Sequence, residues 1–144
     1  MLTKKYINQL VHSALIEDIG RDGDITSKVL IPKSSLSKAT IVVKEKAIIC
    51  GTEFAKQTFK KLDKSVKIRT LKKDGELANK GDKIITISGK TQNILTAERT
   101  ALNFLGLMSG VASKAREFSD IADPYGSKIY STRKTIPGIR KLGK

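Results

Sequence analysis

The sequence predicts an α+β unit, then a helical connector, then the first strand of something left uncompleted. An amphipathic helix opens the chain, and short β-branched runs separated by tight turns fill its middle. About 30 residues of helical pattern then precede a last β-rich run. The chain has 144 residues, enough for one ordinary domain with a real core.

Taken in order, Ile7, Leu10, Val11, Ala14 and Leu15 recur at helical spacing and predict a helix from Lys4 to Asp18. Gly20 and the segment Arg21-Asp22-Gly23-Asp24 end it with turn chemistry. A strand is expected over Lys38 to Glu45, with Ala39, Ile41 and Val43 on one face, and another over Ala47 to Cys50. Gly51 turns the chain into a helix from Thr52 to Leu62, with Thr52 as its cap and Phe54, Ala55, Thr58, Phe59 and Leu62 inward. Val66 to Leu71 alternates as a strand, and Lys83 to Ser88 reads as the next. Between them lie tight turns at Lys73-Asp74-Gly75-Glu76 and Asn79-Lys80-Gly81-Asp82. Turns that close together, flanked by short strands, describe a compact curled antiparallel sheet. From Thr91 the pattern is helical, with Ile94, Leu95, Leu102, Leu105 and Met108 inward. Ser109-Gly110 is expected to interrupt it, with Ser109 capping a second helix from Val111 to Ala122. Asp123-Pro124-Tyr125-Gly126 reads as a loop, and Lys128 to Thr132 as a last strand.

Hydrophobic residues make up 39% and charged residues 29%, the balance of a globular chain rather than a disordered one. No apolar run approaches the ~20 residues of a membrane-spanning helix, and the first residues lack the apolar segment of a secretory signal. Cys50 is the only cysteine, which rules out an internal disulfide; in the run Ala47-Ile48-Ile49-Cys50 it reads as a buried structural thiol. These features fit a cytoplasmic protein.

The net charge is +14, unevenly distributed. Lys33 to Lys73 holds 12 basic and 3 acidic residues, and Lys128 to Lys144 holds 6 basic and none acidic. Such a chain attracts anions. With no tryptophan, four phenylalanines and three tyrosines, it is short of stacking side chains, so nucleic acid is the less favoured partner. The run Ser131-Thr132-Arg133-Lys134-Thr135-Ile136-Pro137-Gly138 places an arginine and a lysine where a strand should end. Arginine forms bidentate bonds to carboxylate or phosphate, and lysine supplies a compact charge. An anionic small-molecule site and a solvated basic loop are both open on these residues alone.

Other candidates reduce to structure. Glu17, Asp18, Asp22 and Asp24 read as helix-end and turn residues, because a hard-cation site needs ligands converging from several directions. His12 lies on the polar side of its helix with no second histidine. The spacing Asp74-Gly75 to Gly81-Asp82 is reminiscent of biotinyl or lipoyl carrier domains, but no lysine here has the methionine neighbour those carry at the attachment point.

Three segments together resemble quinolinate phosphoribosyltransferase: Glu17-Asp18-Ile19-Gly20-x-x-Gly23-Asp24-Ile25-Thr26-Ser27, then Thr96-Ala97-Glu98-Arg99-Thr100-Ala101-Leu102-Asn103-Phe104-Leu105 with Ser109-Gly110-Val111-Ala112-Ser113, then Thr132-Arg133-Lys134-Thr135-x-Pro137-Gly138-x-Arg140. Order and spacing match that family along the whole chain. Many relatives carry Asp where Ser131 stands here. The resemblance implies a hammerhead-like N-terminal α+β domain at residues 1–110 and the start of an incomplete α/β barrel at 111–144.

It also implies a reaction: quinolinate and phosphoribosyl pyrophosphate give nicotinate mononucleotide, pyrophosphate and CO2, in NAD biosynthesis. By resemblance, Arg133 would bind a quinolinate carboxylate, Lys134 the phosphates or the same carboxylate, and Thr132 would add a hydrogen bond. Arg99 resembles the arginine lent to the neighbouring subunit of a homodimer. No catalytic residue is assigned within this chain. The family's His-Arg pair, a later lysine and the acidic residues that handle ribose and Mg2+ are expected beyond Lys144, so the chain reads as an inactive N-terminal piece. Alternatives at this point are a related pyrophosphorylase-like protein associated with molybdate transport, and a non-catalytic basic module that binds nucleic acid.

Overall fold

In the computed structural model, which describes residues 2–143, the opening apolar stripe becomes helix α1 (Lys4–Ile19). Thr3 caps it by accepting the Tyr6 N–H at 3.2 Å. Ile7, Val11 and Leu15 are buried along one side, and His12 is exposed on the other. Gly20, at φ 64°, stops the helix and donates its N–H to the Ile16 carbonyl.

A second helix, α2 (Ile25–Leu30), has no counterpart in the sequence expectation. Its six residues are too few for a periodic stripe, and Ile25, Val29 and Leu30 all face outward. Asp24 nucleates it by accepting the Ser27 N–H at 2.9 Å.

Strand β1 (Leu36–Val42) pairs antiparallel with β5 (Lys83–Lys90), and β5 pairs antiparallel with β3 (Lys67–Thr70), giving the order β1-β5-β3. Two short strands, β2 (Ala47–Ile48) and β4 (Leu77–Ala78), form a separate ladder. Further backbone bonds extend each ladder: Val43 N–H to the Asp82 carbonyl at 2.9 Å beside the first, and Ile49 N–H to the Glu76 carbonyl at 2.9 Å and Gly75 N–H to the Ile49 carbonyl at 2.8 Å beside the second. The pairing is antiparallel throughout, as expected. A register shift follows Ile41, which pairs with Ile85 while Val42 pairs with Lys83. Ile84 is the extra residue of this bulge, so two consecutive isoleucines, Ile84 and Ile85, are both buried.

Helix α3 (Thr52–Leu62) begins at Gly51, not at a Thr52 cap. Thr52 is already helical, and the acceptor comes from elsewhere in the chain: the Gly51 N–H, the Thr52 N–H and the Thr52 hydroxyl all donate to the Asp74 carboxylate.

Helix α4 (Thr91–Ala122) runs 32 residues without a break, which corrects the expected interruption at Ser109-Gly110. Ser109 is occupied laterally. Its hydroxyl accepts the Cys50 N–H at 3.0 Å and donates to the Cys50 carbonyl at 3.1 Å, while the Ser113 hydroxyl accepts the Ile48 N–H at 2.8 Å. These side chains satisfy backbone groups at the edge of β2. A glycine inside a helix costs about 1 kcal/mol, which packing on both sides of α4 outweighs. Leu95, expected to point inward, is exposed, and Leu102 is half-buried.

The expected last strand, Lys128 to Thr132, does not form. A strand needs a ladder partner, and among the described residues none lies beside this stretch. The backbone bonds flanking it are local, Ser127 N–H to the Ala122 carbonyl and Thr135 N–H to the Arg133 carbonyl.

The core has two clusters. Val43, Ile49, Ile85, Ile87 and Val66 of the sheet region meet Ala55 and Phe59 of α3 and Ile94, Ala97, Ala101 and Leu105 of α4. On the other side, Ile7, Val11 and Leu15 of α1 meet Phe54, Phe104 and Met108. The Phe54 and Phe104 rings lie 4.9 Å apart, tilted by 32°. Leu142, in a short 3-10 turn at Arg140–Leu142, returns the C-terminal segment to this second cluster.

Candidate functional site

The N-terminal half of α4 carries a polar stripe at Gln92, Thr96 and Thr100, one turn apart each. Every member holds the acidic segment that runs from the end of α1 toward β1. The Gln92 amide donates to the Ile31 carbonyl at 2.6 Å and the Ser27 carbonyl at 3.3 Å. Thr96 Oγ1 donates to Asp24 Oδ2 at 2.7 Å and lies 2.9 Å from its own turn's Gln92 carbonyl. Thr100 Oγ1 donates to Asp18 Oδ2 at 2.9 Å. Hydrogen bonds from Ser27, and then from Thr96, hold the Asp24 carboxyl below the usual carboxylate range. Residues 18–31 are thereby strapped along α4. Within the acidic cluster, the Asp24 and Asp18 carboxylates accept hydrogen bonds from α4, and the Asp22 backbone carbonyl accepts from Lys28 Nζ. Among the described residues no three His, Cys, Asp or Glu side chains are placed to hold a metal ion.

Arg99 stands on the ridge beside this strap, one residue before Thr100, and its side chain is exposed. The ion pairs among the described residues are Lys56–Glu53, Lys72–Asp82 and Lys114–Glu117, none of which involves Arg99. Its neighbours one turn away, Leu95 and Asn103, carry no charge. Below it, a cleft of about 360 Å³ opens between α1, α4 and the C-terminal segment, with Glu17, Asp18, Thr100, Asn103, Leu107 and Ile139 on its walls.

Thr132, Arg133 and Lys134 share one exposed loop. The Lys134 N–H donates to Thr132 Oγ1 at 3.1 Å. Arg140 Nε donates to Thr135 Oγ1 at 3.0 Å and ties the loop to the following turn. Ile139 and Leu142 anchor that turn on the second core cluster, and Lys141 Nζ sits 4.9 Å over the Tyr6 ring. The structure therefore brings Thr132, Arg133 and Lys134 together, and among the described residues no hydrogen bond or ion pair joins them to Arg99. Arg133 stands in an irregular loop, not at a strand end.

The sequence reading missed the Gln92-Thr96-Thr100 stripe. Its signal was present: three polar residues at four-residue spacing between apolar positions, facing an acidic segment of matching chemistry. Cys50 is half-buried, and burial first and Asp74 second push its thiol upward, away from reactivity.

Comparison with known proteins gives a consistent result. Residues 24–109 match the family described as quinolinate phosphoribosyl transferase, N-terminal domain. The chain is 39% identical over 138 residues to quinolinate phosphoribosyltransferase [decarboxylating] 2b, mitochondrial, of Nicotiana tabacum, covering 96% of this chain and 39% of the relative. It is 37% identical over 138 residues to the probable nicotinate-nucleotide pyrophosphorylase [carboxylating] of Bacillus subtilis, covering 96% of this chain and 47% of that one. Among solved structures, the nicotinate-nucleotide pyrophosphorylase of Francisella tularensis superposes with a TM-score of 0.91 at 33% identity, over 99% of this chain and 53% of that one. The enzyme of that name from Ehrlichia chaffeensis also gives 0.91 at 33%, over 99% and 51%. The chain thus spans between about two fifths and about half of the length of these relatives.

Proposed function

Because this chain belongs to the quinolinate phosphoribosyltransferase family, we propose that it works in the transfer of phosphoribosyl from phosphoribosyl pyrophosphate to quinolinate. The products are nicotinate mononucleotide, pyrophosphate and CO2, a pentosyltransferase step of NAD biosynthesis. The observation that carries this reading is the continuous match, along nearly the whole chain, to relatives named for that reaction.

The charge pattern suits the chemistry. One substrate is a dicarboxylate and the other carries several phosphate charges, so their approach is opposed unless cations surround both. At an effective dielectric near 20, two unit charges ~4 Å apart interact by ~4 kcal/mol. A few fixed cations therefore decide whether both anions bind together. In the proposed roles, Arg133 grips a quinolinate carboxylate in bidentate fashion, Lys134 takes phosphate or carboxylate charge, and Thr132 orients the substrate by a hydrogen bond. Pyrophosphate departure leaves an oxocarbenium-like ribose, and fixed cations favour the leaving group as its charge grows.

Arg99 is proposed to serve the site of a neighbouring subunit in a homodimer. Its exposure, its lack of an ion pair and the absence of a hydrogen bond to the 132–134 loop, all among the described residues, support that role. Mg2+ is proposed to accompany phosphoribosyl pyrophosphate. Among the described residues no group of three or more His, Cys, Asp or Glu side chains is placed to hold it.

The match to the N-terminal domain ends at residue 109, which supports a division into 1–110 and 111–144 even though α4 crosses it unbroken. No described helix is long and apolar enough to cross a membrane. A cytoplasmic location is part of the same proposal; the tobacco relative is named mitochondrial.

The test is a chimera in which residues 2–143 replace the matching segment of the Bacillus subtilis relative, assayed for quinolinate-dependent pyrophosphate release. Activity is expected, with a loss of 100-fold or more in Arg99→Ala or Arg133→Ala. A folded, dimeric chimera that turned over only in the absence of quinolinate, or that was indifferent to both substitutions, would overturn the proposal.

A further inference from the structure

The outer face of the three-stranded sheet carries a charge arrangement that the proposed reaction does not use. Register aligns Lys38, Ser88 and Lys67 in one cross-strand row and Thr40, Thr86 and Arg69 in the next. Strand alternation sends Ala39, Ile41, Ile68, Ile85 and Ile87 to the core side and these six residues to the other. Lys38, Thr40, Lys67 and Arg69 are exposed. The result is a shallow trough of about 400 Å³ whose polar lining is these six residues. Hydroxyls of β5 form its floor, and cations of β1 and β3 form its two rails.

Two strand spacings separate the rails, about 10 Å, and Lys67 and Arg69 on one rail are about 7 Å apart. These distances are close to the Debye length of about 8 Å at physiological salt. Lys67 and Arg69 on one rail therefore repel each other, repulsion across the trough is largely screened, and none of the three cations is in an ion pair among the described residues. No carboxylate lines the trough. Of the neighbouring charges, Lys90 at the end of β5 faces Asp63, which partly balances it, whereas Lys38, Lys67 and Arg69 have no such counterpart on the face.

We infer that this trough binds a condensed phosphate chain, a linear phosphoanhydride lying along β5 between the two cationic rails. Three features select that occupant. Hydroxyls and cations together suit closely spaced phosphate oxygens. No aromatic side chain lines the trough, so the bases of a nucleic acid strand would find no stacking platform. The floor presents side-chain hydroxyls rather than a free backbone edge, so an acidic peptide laid across it would leave its own N–H and C=O groups unpaired. A phosphate chain has neither requirement.

The experiment titrates the chain, residues 1–144, with sodium tripolyphosphate at 0.15 M salt and follows backbone amide shifts by NMR. Shifts are expected to centre on Lys38, Thr40, Lys67, Arg69, Thr86 and Ser88. Lys67→Glu/Arg69→Glu should weaken binding at least tenfold, and Thr86→Val several-fold. Lys60→Glu/Lys61→Glu, with the same net charge change on the exposed end of α3, should leave it within twofold. Parallel arms use a charge-matched oligodeoxynucleotide and an oligoglutamate. Equal losses in the two charge reversals, shifts centred outside the trough, or tighter binding of either alternative polyanion would each overturn the inference. None of these readouts depends on quinolinate or on Arg99 and Arg133.

Discussion

Asp74 caps a helix that starts 22 residues before it: Thr52 donates both its N–H, at 3.0 Å, and its hydroxyl, at 2.7 Å, to Asp74 Oδ1. The second oxygen takes the Gly51 N–H at 3.1 Å. One carboxylate therefore satisfies the start of α3 and pins the 73–76 turn to the core, and its negative charge lies at the favourable end of the helix dipole.

Asp74→Ala should destabilise the chain by about 1–2 kcal/mol, the cost of a lost cap. Urea unfolding would measure this. Thr52→Val, which removes only the hydroxyl bond, should cost less. A larger effect from Thr52→Val than from Asp74→Ala would place the stabilisation elsewhere.

Gly51 is required twice over. Its φ of 98° is left-handed, and a Cβ there would lie 3.0 Å from Met108 Sδ and 3.3 Å from the Phe104 carbonyl oxygen. Gly75, at φ 91°, has nothing within 4 Å of such a Cβ. Gly75→Ala should cost only the conformational strain, ~1–2 kcal/mol, and Gly51→Ala clearly more. Equal midpoint shifts in thermal melts of the two variants would rule out the crowding.

Asp24 predicts an acid-limb effect. Its carboxyl is held below its usual value of 3.8, first by Ser27 and then by Thr96, with Lys28 adding a smaller attraction. A carboxyl lowered in the folded state contributes stability above its unfolded value, and the contribution disappears as pH falls through the folded one. Asp24→Asn should therefore flatten the loss of stability below about pH 4 while leaving the slope between pH 6 and 8 unchanged. Unfolding free energies against pH for both proteins provide the check; parallel curves would show that the strap does not titrate through Asp24.

Cys50 should be a slow nucleophile. Burial raises its thiol, and Asp74 adds to that. Alkylation by iodoacetamide at pH 7.5 should run several-fold slower in the folded chain than in urea. Equal rates in the two states would show the thiol to be freely accessible.

Much of this was readable beforehand wherever local signals agreed with burial. The α1 stripe, the helix from Thr52 to Leu62, the antiparallel strands and both glycine turns follow from periodicity and turn chemistry, and the structure keeps them. What failed depended on distant partners. Ser109-Gly110 has the local chemistry of a break, but the Cys50 backbone, 59 residues away, engages Ser109 instead. Thr52 looks like a cap until Asp74 is placed beside it. Ile129 and Tyr130 have β-forming side chains, yet they sit 51% and 78% exposed with no ladder to join. At the candidate site, the residues with charge were visible in the sequence, whereas the threonines that hold the loop beside Arg99 gained meaning only once Asp18 and Asp24 were facing them.

The unbroken α4 has a mechanical consequence. At 1.5 Å per residue a helix of this length is a stiff rod of about 48 Å, held to the rest of the fold from Gln92 to Ser113, with Phe118 and Ile121 bare beyond that stretch. The unheld stretch past Ser113 is only about 14 Å long, so a tilt of about five degrees moves its tip by about 1 Å. A load on Phe118 or Ile121 meets the Ser113 and Ser109 contacts with residues 48–50 before it reaches Arg99, so those two serines brace the arginine's end of the helix.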